Sequence, residues 1–330
     1  MVSRVKTLSK NLSDQFPLLY QNRYCDQEEF SIGLFSNNYY NEDISIFKPY
    51  LLNNFGTKTY LPSLSKPKYG CKAVSIGSDI YVLGQNKDHN SLSFEKYSSS
   101  TKSWKTLPLL NTLEEELYYM CSFMQKVFII TEKHSDTPSM FYDDQTNQWT
   151  SITSCVRNME EAATTVFEGK LILSGGLRKK SRIDRSGRAP RIFHQQTKLK
   201  SIEAYDFHEN KWSYLPSMLS TRVNHSSVSI SNKMFMIGGS SDYSEVFDSV
   251  TRKFTFIKIF PKWVGPSELL SRNYKPFQVV NIGYKMFFFQ KDDKKVNIHS
   301  YNVRNNRFCY KTSIEMESFK NIGCIKVPMI

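Results

Sequence analysis

The hydrophobic positions of this chain fall into short runs that recur in groups and predict β-strands. Residues 80–84, 171–176 and 234–239 are mainly apolar, and each run follows a tight turn of polar residues, two of which contain a glycine. A strand of small, alternating residues precedes each turn, as in residues 226–230. Short apolar runs bounded by turn residues are typical of strands in antiparallel hairpins. The pattern therefore predicts an all-β chain.

Five aromatic pairs mark a second hairpin in each group. In every pair the second aromatic residue follows the first by seven positions, with polar turn residues between them. The pairs are Tyr97 with Trp104, Tyr142 with Trp149, Tyr205 with Trp212, Phe247 with Phe254, and Tyr301 with Phe308. We expect these residues to pack between repeats, because a repeated position usually serves the repeated fold.

The spacing of the repeats indicates how the strands assemble. Successive second aromatics lie 45, 63, 42 and 54 residues apart, and four-stranded antiparallel repeats of this length are typical of propeller blades. A further group begins at residues 30–35 without a first strand, whereas residues 322–328 form a first strand with no blade after it. We expect the C-terminal strand to complete the first blade and close a ring of six blades, which covers two sheet edges.

The order of these elements resembles the kelch repeat. That repeat has a small first strand, an apolar second strand ending in Gly-Gly, a variable loop, and then Tyr-Asp and Trp at fixed spacing. The best copy spans residues 171–218 and contains Gly175-Gly176, and the next copy contains Gly238-Gly239. The glycines are expected to serve backbone conformation rather than phosphate binding. The resemblance implies a six-bladed kelch-type β-propeller over residues 27–330, preceded by a tail or linker remnant at residues 1–26.

Most of the net charge of +13 lies in one insertion. Residues 178–200 contain nine Arg or Lys residues and one acid, so their net charge is +8. One interpretation is a solvated, mobile loop, and the other is a contact with an acidic protein segment, an actin surface or a nucleic acid. The kelch resemblance places this loop on the face that usually receives partners. The candidate partner-binding residues here are Arg178, Lys179, Lys180, Arg182, Arg185, Arg188 and Arg191.

The resemblance also suggests residues at the mouth of the central channel. In well-studied kelch adaptors, basic and polar residues ring this mouth, often with an Arg just before each first strand. The matching candidates here are Lys68, Arg222 and Tyr274, and His225 is a further candidate. Other matching positions hold Glu115 and Met159, so an acidic-peptide pocket like that of the best-known members is not implied.

The sequence predicts no catalytic, cofactor or metal site. The six histidines and six cysteines have no paired metal-ligand spacing, and Gly-x-Ser-x-Gly, Walker and HExxH motifs do not occur. A sugar-active or oxidative propeller enzyme is the alternative from a different class. We expect no membrane span, since no stretch approaches about 18 uninterrupted apolar residues. Without a signal-peptide pattern, a cytoplasmic location with reduced thiols is expected.

The kelch resemblance implies a non-enzymatic, protein-binding propeller. It resembles the substrate-recognition module of a BTB-kelch adaptor for a cullin-RING ubiquitin ligase, although the sequence shows no BTB or BACK pattern. Whether the chain is a fragment of a longer BTB-BACK-kelch protein is left open, and a monomer is expected without a BTB domain. The alternative is a kelch protein that binds actin through the basic loop. The expected partner is a protein, either a ligase substrate or actin, rather than a nucleic acid.

Overall fold

The computed structural model describes residues 30–36, 49–52, 58–64, 68–86, 92–109, 118–131, 138–155, 160–184, 191–241, 243–259, 278–292, 295–315 and 322–328. Within these residues the regular secondary structure is entirely β-strand. No helix in this part of the chain is long and apolar enough to cross a membrane. The N-terminal segment 1–26 lies outside the described residues.

The described strands form six four-stranded antiparallel sheets, called blades one to six here, and a separate two-stranded ribbon. Blade one contains β1 (Phe30–Ser36), β2 (Tyr50–Leu52), β3 (Lys58–Tyr60) and β26 (Ile322–Pro328). Blade two contains β4 (Lys68–Ile76), β5 (Asp79–Asn86), β6 (Leu92–Ser98) and β7 (Ser103–Leu107), and blade three contains β8 (Tyr118–Phe123), β9 (Lys126–Thr131), β10 (Met140–Asp143) and β11 (Gln148–Ser151).

Blades four to six repeat this strand order. Blade four contains β12 (Ala163–Phe167), β13 (Lys170–Ser174), β16 (Ile202–Asp206) and β17 (Lys211–Leu215), with the ribbon strands β14 (Leu177–Asp184) and β15 (Arg191–Lys198) inserted after β13. Blade five contains β18 (His225–Ile230), β19 (Lys233–Gly238), β20 (Ser244–Asp248) and β21 (Lys253–Ile257). Blade six contains β22 (Gln278–Ile282), β23 (Lys285–Asp292), β24 (Lys295–Asn302) and β25 (Arg307–Glu315).

The first strands of the blades contact one another around a common centre. The contacts run from β4 to β8, β12, β18, β22 and β26 in turn, and β26 contacts β4. The C-terminal strand β26 also pairs with β1 along its whole length. Four-stranded antiparallel sheets arranged radially in this way are the architecture of a β-propeller. The predicted all-β propeller class is confirmed.

The core lies between facing blades and is richest in the second strands. In β9, residues Val127, Phe128, Ile129 and Ile130 are completely buried. Both faces of this strand are covered, because Val127 and Ile129 pack with a cluster from blade two while Phe128 and Ile130 pack with a cluster from blade four. A strand buried on both faces has no solvent side, so its sequence is continuously apolar rather than alternating.

The aromatic pairs join the strands within a blade and join one blade to the next. Each pair is a directly opposed cross-strand pair, for example Tyr205 with Trp212, whose ring centroids lie 5.3 Å apart. The indole nitrogen of each of the three tryptophans in these pairs donates a hydrogen bond to a carbonyl oxygen just after the last strand of the preceding blade. The bonds run from Trp104 to Pro62 (2.8 Å), from Trp149 to Pro108 (2.8 Å) and from Trp212 to Thr153 (2.9 Å).

An asparagine five residues after the tyrosine recurs in three of these hairpins. The tyrosine hydroxyl donates a hydrogen bond to the asparagine side-chain oxygen, and the asparagine backbone has a positive φ. The bonds run from Tyr142 to Asn147 (2.7 Å), from Tyr205 to Asn210 (2.8 Å) and from Tyr301 to Asn306 (2.8 Å). Asparagine suits this turn because it tolerates the left-handed region better than most residues.

Candidate functional site

The candidate site lies at the edge of the propeller where first strands begin and second strands end. The ribbon of β14 and β15 emerges there, between β13 and β16. The connection between blades four and five, residues 216–224, reaches the same edge and is described throughout. These two segments are among the described parts of the face that was expected to receive partners.

The basic insertion contains two paired strands, β14 and β15, where the sequence had suggested a loop. Its strands pair in continuous register from Leu177 opposite Lys198 to Asp184 opposite Arg191. The backbone groups on the facing edges of these two strands therefore pair with each other.

Backbone hydrogen bonds hold the base of the ribbon on both strands. Leu177 and Glu160 form an isolated antiparallel bridge, with N···O distances of 2.6 and 2.9 Å. The amide of Leu199 donates to the carbonyl of Gly176 (2.8 Å), and the amide of Arg222 donates to the carbonyl of Leu199 (2.9 Å). The amide of Gly176 in turn donates to the carbonyl of Arg222 (2.7 Å). The ribbon thus starts from a base whose position is set by the connection between blades four and five.

A buried ion pair holds that connection in place. Arg222 and Glu245 are both completely buried, and their nearest charged atoms, Nη2 and Oε1, lie 2.9 Å apart. The guanidinium also donates to the carbonyl oxygens of Gly238 (2.8 Å) and Tyr243. Burial lowers the pKa of Arg222, while the Glu245 carboxylate opposes this shift. Arg222 was predicted to contact a partner at the channel mouth, but its guanidinium is enclosed by the protein and its contacts are structural.

The Glu245 carboxylate accepts two further hydrogen bonds from the same connection. The donors are the backbone amides of Leu219 (2.6 Å) and Ser220 (2.9 Å). Charge-assisted bonds to a buried carboxylate are among the stronger hydrogen bonds in proteins. Glu245 therefore fixes the connection through its backbone as well as through Arg222, and the connection fixes the ribbon.

His225 is buried beside this network rather than exposed at the channel mouth. Its Nε2 lies 3.0 Å from the hydroxyl oxygen of Ser174, while its Nδ1 is buried without a hydrogen-bond partner. Burial, together with the nearby positive charge of Arg222, lowers the pKa of His225 to about 3. The imidazole is therefore neutral at physiological pH, and it does not present a charge to a partner.

The double glycine of blade four allows this close packing. A Cβ on Gly175 would lie 2.5 Å from the carbonyl oxygen of Arg222 and 2.7 Å from Cε1 of His225, and the φ angle of this residue is +63°. A Cβ on Gly176 would lie 2.6 Å from the carbonyl oxygen of Glu160. Both glycines therefore have a conformational and steric role at the base of the ribbon. The corresponding pair in blade five, Gly238 and Gly239, also has positive φ angles.

The structure describes the remaining candidate partner-binding residues only in part. Lys68 is the first residue of β4 and is paired with Asn86 in the register, and its side chain lies outside the described residues. Tyr274, Arg185 and Arg188 also lie outside the described residues. Within the described ranges, no group of three or more His, Cys, Asp or Glu side chains is arranged to hold a metal ion.

Sequence reasoning missed a repeated buried acid in the third strand of three blades. Glu95, Glu203 and Glu245 are each completely buried. Each lies two residues before the first aromatic of its pair, and blade six has the buried His299 at the same position. The constant offset from the aromatic pair could have identified these residues as a repeated feature, although not as buried ones.

The comparisons with known proteins agree with this architecture. The Kelch motif matches residues 161–219, which contain β12 to β17. The chain is 22% identical to Kelch-like protein 23 of Homo sapiens over 215 residues, covering 62% of this chain and 35% of that protein, and the identity and coverage are the same for the Mus musculus protein. It is 25% identical to an F-box/kelch-repeat protein of Arabidopsis thaliana over 125 residues, covering 34% of this chain and 42% of that protein. The chain therefore spans about a third of the length of the Kelch-like proteins it matches, and the expectation of a kelch-repeat propeller that resembles them is confirmed.

Proposed function

We propose that this kelch-repeat propeller, which resembles the kelch-like proteins, is the substrate-recognition module of an adaptor for a cullin-RING ubiquitin ligase. The observation that carries the proposal is the match to Kelch-like protein 23 over 215 residues, on a chain that forms a propeller. A kelch propeller of this kind is a protein-binding module. Beyond protein binding, we propose that the protein acts as a ligase adaptor, that it is a monomer and that it is located in the cytoplasm.

The geometry at the ribbon edge supports a binding role. Interfaces gain affinity when the binding element is ordered before the partner arrives, because less conformational entropy is lost. The ribbon is held at its base by the backbone bonds of Leu177, Leu199 and Gly176, and the insertion to which it belongs contains most of the net charge. A charged element on a fixed base is suited to steering and orienting a protein partner.

The adaptor role is tested by transferring the propeller to a ligase scaffold. The full chain is joined to a BTB and BACK module, and proteins that it captures from cells are offered to a reconstituted cullin-RING reaction. We expect captured proteins to be ubiquitylated by the fusion and not by the BTB and BACK module alone. Capture without ubiquitylation would contradict the adaptor role while leaving protein binding intact, and absence of any reproducible capture would contradict both.

A cytoskeletal partner is the second candidate, because the positive charge of the ribbon would favour an acidic surface such as that of actin. Co-sedimentation with filamentous actin at low and physiological salt separates this candidate from the first. Binding that disappears when residues 179–197 are replaced by a short Gly-Ser turn, which leaves Leu177 and Leu199 at the base of the ribbon in place, would support the actin role. Sedimentation that is equal with and without these residues would contradict it.

A further inference from the structure

The edge of the propeller opposite the ribbon carries a repeated ion pair. In blades three, four and five, the aspartate that ends the third strand pairs with the lysine that begins the second strand. The pairs are Lys126 with Asp143, Lys170 with Asp206 (3.0 Å) and Lys233 with Asp248 (3.9 Å). The hydrogen bond from the lysine holds the pKa of Asp143 below its ordinary value, and the pKa of Asp206 is lowered in the same way. These carboxylates are therefore charged at neutral pH and neutralise the lysines beside them.

The aspartate at this position also forms the turn that follows it. Its side-chain oxygen accepts a hydrogen bond from the backbone amide two residues later, as Asp206 does from His208 (3.0 Å). In blade six the same position is Asn302, whose side-chain oxygen accepts a hydrogen bond from the backbone amide of Arg304 (2.9 Å). The asparagine therefore keeps the turn but does not supply the negative charge.

A cation lies on each side of this asparagine. Lys285 of β23 and Arg307 of β25 are both directly opposite Asn302 of β24. Directly opposed residues share one face of a sheet, and their Cβ atoms are about 5 Å apart. Blades four and five have an aspartate between two lysines in the corresponding rows, which are Lys170, Asp206 and Lys211, and Lys233, Asp248 and Lys253. Blade six therefore has the two flanking cations of these rows without the carboxylate between them.

The acids of blade six lie at its other end. Among the described residues of this blade they are Asp292 and Glu315, and the register places both beside Lys295 at the ribbon edge of the sheet. Lys285 and Arg307 are exposed, and in the part of the chain that the structure describes no acid forms an ion pair with either of them. Their charges are therefore available to an acid from outside this part of the chain.

A third cation lies at the turn next to this row. The guanidinium carbon of Arg304 lies 3.5 Å from the centroid of the Tyr284 ring, and the backbone amide of Val303 donates to the carbonyl oxygen of Tyr284 (2.9 Å). A guanidinium stacked on an aromatic ring loses less conformational freedom when it binds an anion. Lys285, Arg304 and Arg307, here called the basic end of blade six, concentrate three positive charges at one end of one sheet.

We propose that the basic end of blade six binds an acidic segment of a partner protein. An Asp or Glu side chain of this segment lies between Lys285 and Arg307, in the place that the aspartate occupies in blades four and five. The inference goes beyond the proposed function, because it gives the propeller a second contact, on the edge opposite the ribbon, that does not depend on the adaptor role. Exposed ion pairs are individually weak, so this contact adds to an interface rather than forming one alone.

Carbodiimide cross-linking of the full chain tests the contact at single lysines. The reagent joins a carboxylate to an amine where the two are in contact, and mass spectrometry locates the product. The probe is a synthetic peptide of alternating glutamate and serine with blocked termini, added at low salt and at about 0.15 M salt. Lys170 and Lys233 are internal controls, since they occupy the position of Lys285 in blades four and five but are paired with aspartates. We expect at least about threefold more peptide on Lys285 than on either control.

Two variants with matched controls separate binding from the reactivity of the lysine. Arg307→Gln removes the second cation and should lower the amount of peptide on Lys285 by about threefold, whereas Lys211→Gln, the same change of charge in blade four, should not. Asn302→Asp restores the carboxylate of the repeat and should lower the amount of peptide on Lys285 at least as much. Its control, Gln148→Glu, changes the net charge equally at the same edge of blade three and should have no effect.

Both blade-six variants introduce residues that other blades already carry at these positions, so the fold should be retained. Gln148 corresponds to Arg307, and Asp206 corresponds to Asn302. Equal unfolding midpoints in urea for the variants and the unmodified chain check this point.

Equal amounts of peptide on Lys285, Lys170 and Lys233, or equal effects of the variants and their controls, would overturn the proposal. A thymidine oligonucleotide that excludes the labelled peptide from Lys285 at a lower concentration than unlabelled peptide does would also overturn it, because the site would then be a nucleic-acid site. The outcome is separable from binding at the ribbon edge. A second contact adds partner cross-links at Lys285 without removing those at Lys198 and Lys200.

Discussion

Replacing Arg222 by methionine tests whether the ribbon and the connection between blades four and five depend on a buried ion pair. Methionine fills much of the same volume but removes the charge and the donors of the guanidinium. The substitution leaves the Glu245 carboxylate buried with only the amides of Leu219 and Ser220 as partners, and it leaves the carbonyls of Gly238 and Tyr243 without this donor.

The expected loss in the free energy of unfolding follows from the burial of both charges. Removing one member of a fully buried ion pair costs about 3–5 kcal/mol, because the remaining charge stays in a medium of low dielectric constant. A typical domain has a free energy of unfolding of about 5–15 kcal/mol, so this single change removes a large part of it. Urea unfolding followed by tryptophan fluorescence measures the loss.

An exposed ion pair provides the matched control. Arg252 lies 2.8 Å from Glu168, but the two side chains are 48% and 42% exposed. Arg252→Met should therefore cost less than about 1 kcal/mol. The double variant Arg222→Met with Glu245→Met should lose clearly less than the sum of its two single variants, because both singles break the same interaction. Similar small losses at Arg222 and Arg252, or strict additivity at Arg222 and Glu245, would refute this account of the junction.

Three further predictions concern the same edge and the repeat. Gly175→Ala should destabilise the protein by more than Gly77→Ala in urea unfolding, because both residues have positive φ but only a Cβ on Gly175 meets neighbouring atoms, and equal losses would count against the steric argument. The free energy of unfolding should fall as the pH drops from about 6.5 towards 3, by up to about 1.4 kcal/mol per pH unit, since the unfolded state binds a proton that the buried His225 does not. His225→Gln should remove this part of the profile, and an unchanged profile would show that another group is responsible. Asn210→Ala should cost about 1–3 kcal/mol through loss of the bond from the Tyr205 hydroxyl and the positive φ, whereas Asn210→Gly, which keeps the backbone conformation, should cost less in the same assay.

The blades could be predicted from the sequence because their signals are local. The pairs Tyr205–Trp212 and Phe247–Phe254 are directly opposed across two-stranded hairpins, so a constant interval along the chain corresponds to a constant place in space. The alternation of apolar and polar positions, and the turn residues between strands, also indicate hairpins over short stretches of sequence. The pairing of β1 with β26 could not be predicted from a local signal, and was inferred instead from two incomplete repeats at opposite ends of the chain. These two strands are paired in the structure.

The site could not be predicted in the same way. Arg222 has the appearance of a surface cation in the sequence, and only the packing of blade five brings Glu245 against it and encloses both. The ribbon was missed because its many cations indicated a solvated loop, although Ile183 and Ile192 occur at opposed positions typical of a hairpin. Charge density along a sequence does not distinguish a solvated loop from a paired strand.

Cross-linking mass spectrometry of the full chain with its captured partners tests the central claim most directly. The lysines of the chain mark both edges of the propeller, with Lys198 and Lys200 at the ribbon edge and Lys102, Lys211 and Lys253 at the opposite edge, where third strands turn into fourth strands. A protein-binding propeller that uses its ribbon edge should give partner cross-links concentrated at Lys198 and Lys200. Cross-links concentrated at Lys102, Lys211 and Lys253, or no reproducible protein partner, would contradict the account.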